Sequence, residues 1–229
     1  MNIIKPKKII LNTTKLNPEN SSNLINYYEN NLINYCLFEN EENFKINNNY
    51  LEFNYCKFKN INMQNEKSTK LTFKDIIFDN CNFSNTSFSN STFIRCEFNN
   101  CKIAGCDFSE SALYNISFFN CNANYINLSM AILEKVLFEN TLLRNSFFNE
   151  VKMKNVFFEE TDLSQTQFFK TSLNNIDLSN SNIEKFSVSL ADIKGATINQ
   201  FQSIDLLYLL GVKIKWLQHF PFDKSSFSV

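Results

Sequence analysis

The sequence predicts a solenoid, a chain wound repeatedly around its own core, and three observations predict it. From Phe73 to Ile198 every fifth residue is apolar, 26 positions in succession, 12 of them Phe. Two places before each lies a second restricted position, which holds only Ala, Cys, Ser, Thr, Val, Ile, Leu and one Phe, and never a charge. The other three places of each five are mostly Asn, Ser, Asp, Glu and Lys. A period of five matches neither a helix nor a simple strand. It needs a chain that turns a corner every five residues and points two of the five inward, and a fixed short period is the signature of stacked repeats.

The quintets Cys81-Asn82-Phe83-Ser84-Asn85 and Cys106-Asp107-Phe108-Ser109-Glu110 resemble those of the pentapeptide-repeat family, which centre on Leu or Phe with a small residue two places earlier. The resemblance implies an all-β fold, a right-handed quadrilateral β-helix with four quintets, or 20 residues, per coil. Residues 71–200 then make six and a half coils, roughly 31 Å tall at the spacing of neighbouring strands. Centres 20 apart stack, so Phe78, Phe98, Phe118, Phe138 and Phe158 form an aromatic column. Phe88, Phe108, Phe148 and Phe168 form another, interrupted by Leu128.

The composition suits such a stack. The 229 residues fit one ordinary domain, with only three Gly and three Pro, 25 Phe against one Trp, and 38 Asn. All seven cysteines, at 36, 56, 81, 96, 101, 106 and 121, fall in the small inward position. Their spacing fits neither a disulfide framework nor a zinc site; each reads as a small buried hydrophobe. Lysines near Met1 are not followed by the apolar run of a secretory signal. No stretch approaches the roughly 18–20 apolar residues of a membrane span. The expectation is a cytoplasmic protein without membrane contact.

Three segments follow. Residues 1–35 form an N-terminal segment and cap, in which Asn17-Pro18-Glu19 could open a short helix. Residues 36–200 form the β-helix, irregular at 39–50 and 64–70. Gln64, Asn65, Glu66, Lys67, Ser68, Thr69 and Lys70 are either one degenerate quintet or a small projecting loop of matching length, since Phe73 stays in register with Met63. Residues 201–229 hold a helix that Gly211 stops, a short alternating strand from Val212 to Trp216, and a tail. The helix is apolar over too wide an arc for a lid alone. A solenoid end needs a cap, and Phe201, Ile204, Leu207, Tyr208, Leu210, Val212 and Ile214 are expected to join two copies end to end as a twofold dimer.

Ile193-Lys194-Gly195-Ala196, followed by Gln202, Leu206 and Leu210-Gly211, resembles the C-terminal end of the Qnr-type quinolone-resistance family, as does Ile126-Asn127-Leu128-Ser129-Met130-Ala131. Residues 64–70 sit where that family carries its first loop. A second, mid-helix loop typical of several members is missing here, since the phase is unbroken through 113–125. The resemblance implies a cytoplasmic homodimer that mimics DNA and binds type II topoisomerase, chiefly DNA gyrase with topoisomerase IV as a second candidate, and protects it from fluoroquinolones.

Net charge is only −1, whereas 31 Å of duplex DNA carries roughly 18 charges. Sorting charges by face is more informative. Within residues 71–200 the face centred on Phe78 and its successors holds Asp79, Glu97, Glu139, Glu159, Glu160 and Asp177 and no Lys or Arg. The face centred on Phe73 holds Lys74, Arg95, Lys135, Lys152, Lys154 and Lys194 against three acids. The acidic face is the candidate partner-binding surface, because charge complementarity steers association. Ile132, Leu137, Leu142 and Phe147, with Phe157 beside Leu137, make an outward apolar belt. It marks either an interface or a surface over which residues 1–35 fold back.

Catalysis has no candidate residues. The only histidine, His219, has no ligand partners at metal spacing, and a phosphate-cradling glycine loop is impossible with three scattered Gly. Glu41-Glu42 and Glu159-Glu160 read as solvent-facing pairs. A filled β-helix offers no substrate pocket. No enzyme activity, cofactor or metal is expected, and no direct nucleic-acid binding, since the basic face lacks outward aromatics. The second functional reading is a generic pentapeptide-repeat interaction or immunity scaffold with another protein partner.

Overall fold

The computed structural model describes residues 14–15, 31–46 and 49–213. There the chain winds into a four-sided parallel β-helix with one short helix at its C-terminal end. The backbone shows what enforces the winding. Among the described residues twenty-nine other than glycine have positive φ, and apart from Asn31 every one lies at a residue number divisible by five. One left-handed residue per quintet turns the corner. Fourteen of the 29 are Asn, which tolerates this region better than most side chains; that requirement accounts for much of the chain's Asn content.

Five strands of eight residues form the regular body: β6 (Thr72–Asp79), β7 (Thr92–Asn99), β8 (Ala112–Phe119), β9 (Ile132–Glu139) and β10 (Lys152–Glu159). Each crosses two faces, passing through a left-handed corner at Asp75, Arg95, Asn115, Lys135 or Asn155. Neighbours pair in parallel at a 20-residue offset, as in Phe98↔Phe118 and Phe118↔Phe138. Toward the N terminus β3 (Cys36–Glu39) and β5 (Lys57–Lys59) extend one of these faces. β2 (Leu32–Asn34) and β4 (Glu52–Asn54) extend the other, and β1 (Thr14–Lys15) pairs with β3. The remaining two faces are held by single bridges such as Asn62↔Asn82 and Lys67↔Ser87 and by β11 (Gln167–Phe168) on β12 (Ser187–Val188).

The interior is a set of columns. Phe38, Phe58, Phe78, Phe98, Phe118, Phe138 and Phe158 stack with ring centroids 4.5–5.3 Å apart. The column therefore starts two coils earlier than the regular phase indicates. Phe53, Phe73 and Phe93 form a second, at 5.1 and 4.8 Å. Phe148 and Phe168 stack at 4.9 Å and Phe88 tilts onto Phe108, with Leu128 between the two pairs. Offset stacking is worth about 0.5–1.5 kcal/mol per pair beyond the buried area.

The small inward position does more than fill space. Cys81, Cys101, Cys121, Thr141, Thr161 and Ser181 each donate a hydrogen bond to the carbonyl oxygen 23 residues earlier, on Phe58, Phe78, Phe98, Phe118, Phe138 and Phe158, at 3.1–3.6 Å. The cysteines are thus donors as well as small hydrophobes, a role their composition does not reveal.

The two irregular segments take definite forms. Residues 64–70 do not project as a loop. Asn62 and Lys67 bridge to the next coil, Ser68 is buried, and Asn65 and Lys70 turn ordinary left-handed corners. The segment is a regular stretch of coil whose apolar centre has been replaced. The lapse after Glu39 is a displacement by one residue. Phe44, not Asn43, fills the inward centre; its N–H donates to Asn62 O, whereas Met63 donates to Asn82 O, one residue further on in offset. Glu41 is not solvent-facing either: it occupies the small inward position and is only 8% exposed.

The C-terminal helix runs over Gln202–Leu206 (α1) and tightens into a 3₁₀ turn at Leu207–Leu210. Gly211 closes it with φ 68°, where the left-handed conformation suits glycine. Gln202 ties the cap to the solenoid, donating through Nε2 to Leu178 O at 2.8 Å and Ser181 O at 2.6 Å. Val212 and Lys213 are not in a strand. The rest of the expected strand, Ile214 included, lies outside the described residues, as do His219 and Asn17-Pro18-Glu19.

Candidate functional site

The outward side chains of each strand form ladders, because residues one coil apart stand in register. On the face backed by the long Phe column, Phe119, Glu139 and Glu159 make one ladder and Ser117, Leu137 and Phe157 the next. Glu139, Glu159 and Glu160 come together with Phe119, Asn120 and Asn140 around one shallow groove. Glu97 stands lower on the same face, in register with Ser117. Asp177 accepts the Ser179 N–H at 2.9 Å, and hydrogen bonds from the Ser179 side chain and backbone hold its carboxyl below the ordinary range.

The six predicted acids are not equivalent. Asp79 is paired with Lys57 from the coil below, at 3.1 Å. Lys57 lies outside the regular run, so sorting charges within that run missed it. Among the described residues Glu97, Glu139, Glu159, Glu160 and Asp177 form no ion pair with Lys or Arg. On other faces the chain neutralises Asp75 with Arg95, Glu134 with Lys154, Glu150 with Lys170 and Asp162 with Arg144. Like charges directly opposite each other on adjacent strands destabilise a sheet. Glu139 on Glu159 therefore works against stability.

A polar ladder borders the acidic groove. Asn60 donates to Asn40, Asn80 to Asn60, Asn120 to Asn100 and Asn140 to Asn120, all at left-handed corners. Phe119 is the residue that sequence reasoning passed over. It takes a normally polar place, is 40% exposed, and stands between Asn99 and Glu139 in their ladder. Its position directly after Phe118 is the signal that could have found it. In the apolar belt Ile132 and Leu142 are each 38% exposed, while Leu137, Phe147 and Phe157 are half-buried.

On the basic face Arg95 grips the fully buried Asp75 carboxylate with two bonds of 2.6 Å, and Lys154 is paired with Glu134. Two of its six cations are therefore already engaged by the chain itself. At the C-terminal end Phe201 is 74% and Leu210 63% exposed, with Ile204, Tyr208 and Val212 also exposed and Leu207 half-buried. This is a large apolar area on a short element.

All seven cysteines are free and buried. Burial pushes the Cys96 thiol up to about 12 and also raises Cys56, Cys101 and Cys106. Such thiols are poor nucleophiles at neutral pH. Among the described residues no group of three His, Cys, Asp or Glu could hold a metal, and no helix is long and apolar enough to cross a membrane.

Residues 91–168 match the family model of the pentapeptide repeat region. A search of the curated proteins finds no match. Among solved structures, full-length QnrB1, a plasmid-mediated fluoroquinolone resistance protein, is similar at 15% identity and a TM-score of 0.39, covering 79% of this chain and 99% of its own. The pentapeptide repeat protein Rfr23 from the cyanobacterium Cyanothece follows at 13% identity and a TM-score of 0.23, covering 65% of this chain and 91% of its own. HetL, a pentapeptide repeat protein involved in heterocyst differentiation regulation in Nostoc, is similar at 14% identity and a TM-score of 0.19, covering 72% of this chain and 86% of its own.

Proposed function

We propose that this pentapeptide-repeat solenoid is a binding protein rather than an enzyme, and that its acidic face occupies the DNA-binding surface of a type II topoisomerase. DNA gyrase is the first candidate and topoisomerase IV the second; the consequence is protection from fluoroquinolones. The observation that carries the reading is the unpaired set Glu139, Glu159 and Glu160, the first two in register, on a stretch of this face that no Lys or Arg reaches among the described residues, while Asp75, Glu134, Glu150 and Asp162 on other faces are paired. Uncompensated charge held on a rigid scaffold steers a basic groove toward it. The likeness of residues 193–211 to the end of the Qnr-type family supports the choice of target. The exposed apolar residues of α1 and the turn after it support a homodimer joined there. A topoisomerase target places the protein in the cytoplasm.

The test is DNA supercoiling by gyrase at an inhibitory fluoroquinolone concentration, with and without the protein. Rescue of supercoiling is the expected result, and its loss in a Glu139→Lys/Glu159→Lys/Glu160→Lys variant assigns it to this face. Absence of both rescue and inhibition at every dose would refute the target. One observation favours the second reading, a scaffold for a different protein: residues 64–70 form ordinary coil, so the first loop of the Qnr-type family has no counterpart there.

A further inference from the structure

The centre of the acidic face is an exposed sheet surface with apolar side chains in it, and its arrangement selects an occupant. Leu137 and Phe157 stand one above the other, two residues along the strand from Glu139 and Glu159. Positions two apart on a strand point to the same side and lie roughly 6–7 Å apart. An apolar ladder and an acid ladder thus run side by side, with Phe119 next below Glu139. At four other rungs the chain supplies a cation 20 residues away: Lys59 over Glu39, Arg95 over Asp75, Lys154 over Glu134, Lys170 over Glu150. At Glu139 and Glu159 both rungs are Glu, and among the described residues neither is paired with a cation.

Building on the reading of this face as the partner-binding surface, we infer that its centre seats an arginine or lysine side chain of a protein partner. The aliphatic stem lies on Leu137 and Phe157, and the charged head reaches Glu139 and Glu159. Long cationic side chains lay their methylenes on apolar surface while keeping the head in a polar site, and their length matches the spacing of the two ladders. A guanidinium beside Phe119 also gains from the ring face. The occupant is therefore a basic protein segment. A nucleic acid is repelled here, and in a second copy of the same face Lys57 and Lys59 are already engaged by Asp79 and Glu39.

The test uses a fluorescently labelled nona-arginine peptide, with binding followed by anisotropy at about 0.15 M salt, where distant surface charges are screened. Leu137→Ser/Phe157→Ser, which keeps every Glu, is expected to bind at least tenfold more weakly than wild type. Glu139→Gln/Glu159→Gln is expected to fall by a similar factor. Leu137→Thr/Phe157→Thr serves as a second pair that retains strand-favouring side chains, should the Ser pair lower the thermal midpoint. Wild-type affinity in both apolar pairs, with loss only in the Gln pair, overturns the inference and leaves the acidic face as a purely electrostatic surface. Unchanged affinity in all the variants overturns both. A wild-type oligomer that dissociates in the apolar pairs also overturns it, because a second copy then covers the surface.

Discussion

Thr161 donates its hydroxyl proton to the carbonyl oxygen of Phe138, 23 residues earlier, at 3.1 Å. The same relationship recurs up the column, from Cys81 on Phe58 to Ser181 on Phe158. It links the two inward positions of the repeat across coils. In this column, where the small inward residue is Cys, Thr or Ser, it also satisfies a buried carbonyl of the coil below. Thr161→Val keeps the shape and removes the donor. It should destabilise by about 1–3 kcal/mol, the cost of leaving a buried acceptor unsatisfied. Urea unfolding should show a lower midpoint with an unchanged slope, and Thr161→Ser should recover most of the loss.

Phe118 has stacked rings on both sides, at 4.8 Å to Phe98 and 4.9 Å to Phe138. Phe118→Ala removes a fully buried ring and should cost about 3–5 kcal/mol, while Phe118→Leu should cost far less. Phe118→Asp buries a charge without a partner and should leave no folded protein by circular dichroism.

Glu159 stands in register with Glu139. Glu159→Gln relieves like-charge repulsion and should raise stability by about 0.2–1 kcal/mol, seen as a higher thermal midpoint. The same substitution should weaken gyrase rescue. Gain in one and loss in the other would mark this pair as kept for binding at the expense of stability, whereas equal stability at low and high salt would show that no repulsion is stored there.

Cys96 is buried and its thiol is pushed up to about 12, against an ordinary value of 9.0. A raised thiol pKa means the folded state holds its proton longer than the unfolded one. The stability this contributes is complete below pH 9.0 and is lost as pH rises from there toward about 12. Alkaline unfolding should therefore begin within that window, and Cys96→Ala should blunt it. At pH 7 an alkylating reagent should label none of the buried thiols until denaturant is added.

The long run of quintets made the architecture readable because one physical demand, a corner every five residues, leaves its mark at every repeat. Phe78, Phe98 and Phe118 stack where their spacing places them. Where the demand was met by an unusual residue the reading stayed open or slipped. Gln64 to Lys70 contains polar side chains in a stretch whose backbone turns and bridges like its neighbours. Phe44 sits one residue off phase, and the backbone absorbs the shift. Glu139, Glu159 and Glu160 were legible as a one-signed face, but the pairing of Asp79 with Lys57 was not, since ion pairs depend on which coil lies beneath. Hydrogen bonds from Cys and Thr were hidden because small residues look alike to a pattern of sizes.

The off-phase coil has a consequence for how the molecule comes apart. Each coil touches only its neighbours, so stability passes along the axis as a chain of nearest-neighbour couplings. At Phe44 the hydrogen-bond offset changes by one residue, and Glu41 buries a charged side chain at an inward position. That junction is the weak link in the series. Cooperativity should break there first, so that coils on its N-terminal side exchange their amide hydrogens at lower free energy than those from Phe73 onward. The molecule would then melt as a zipper with a defined starting tooth.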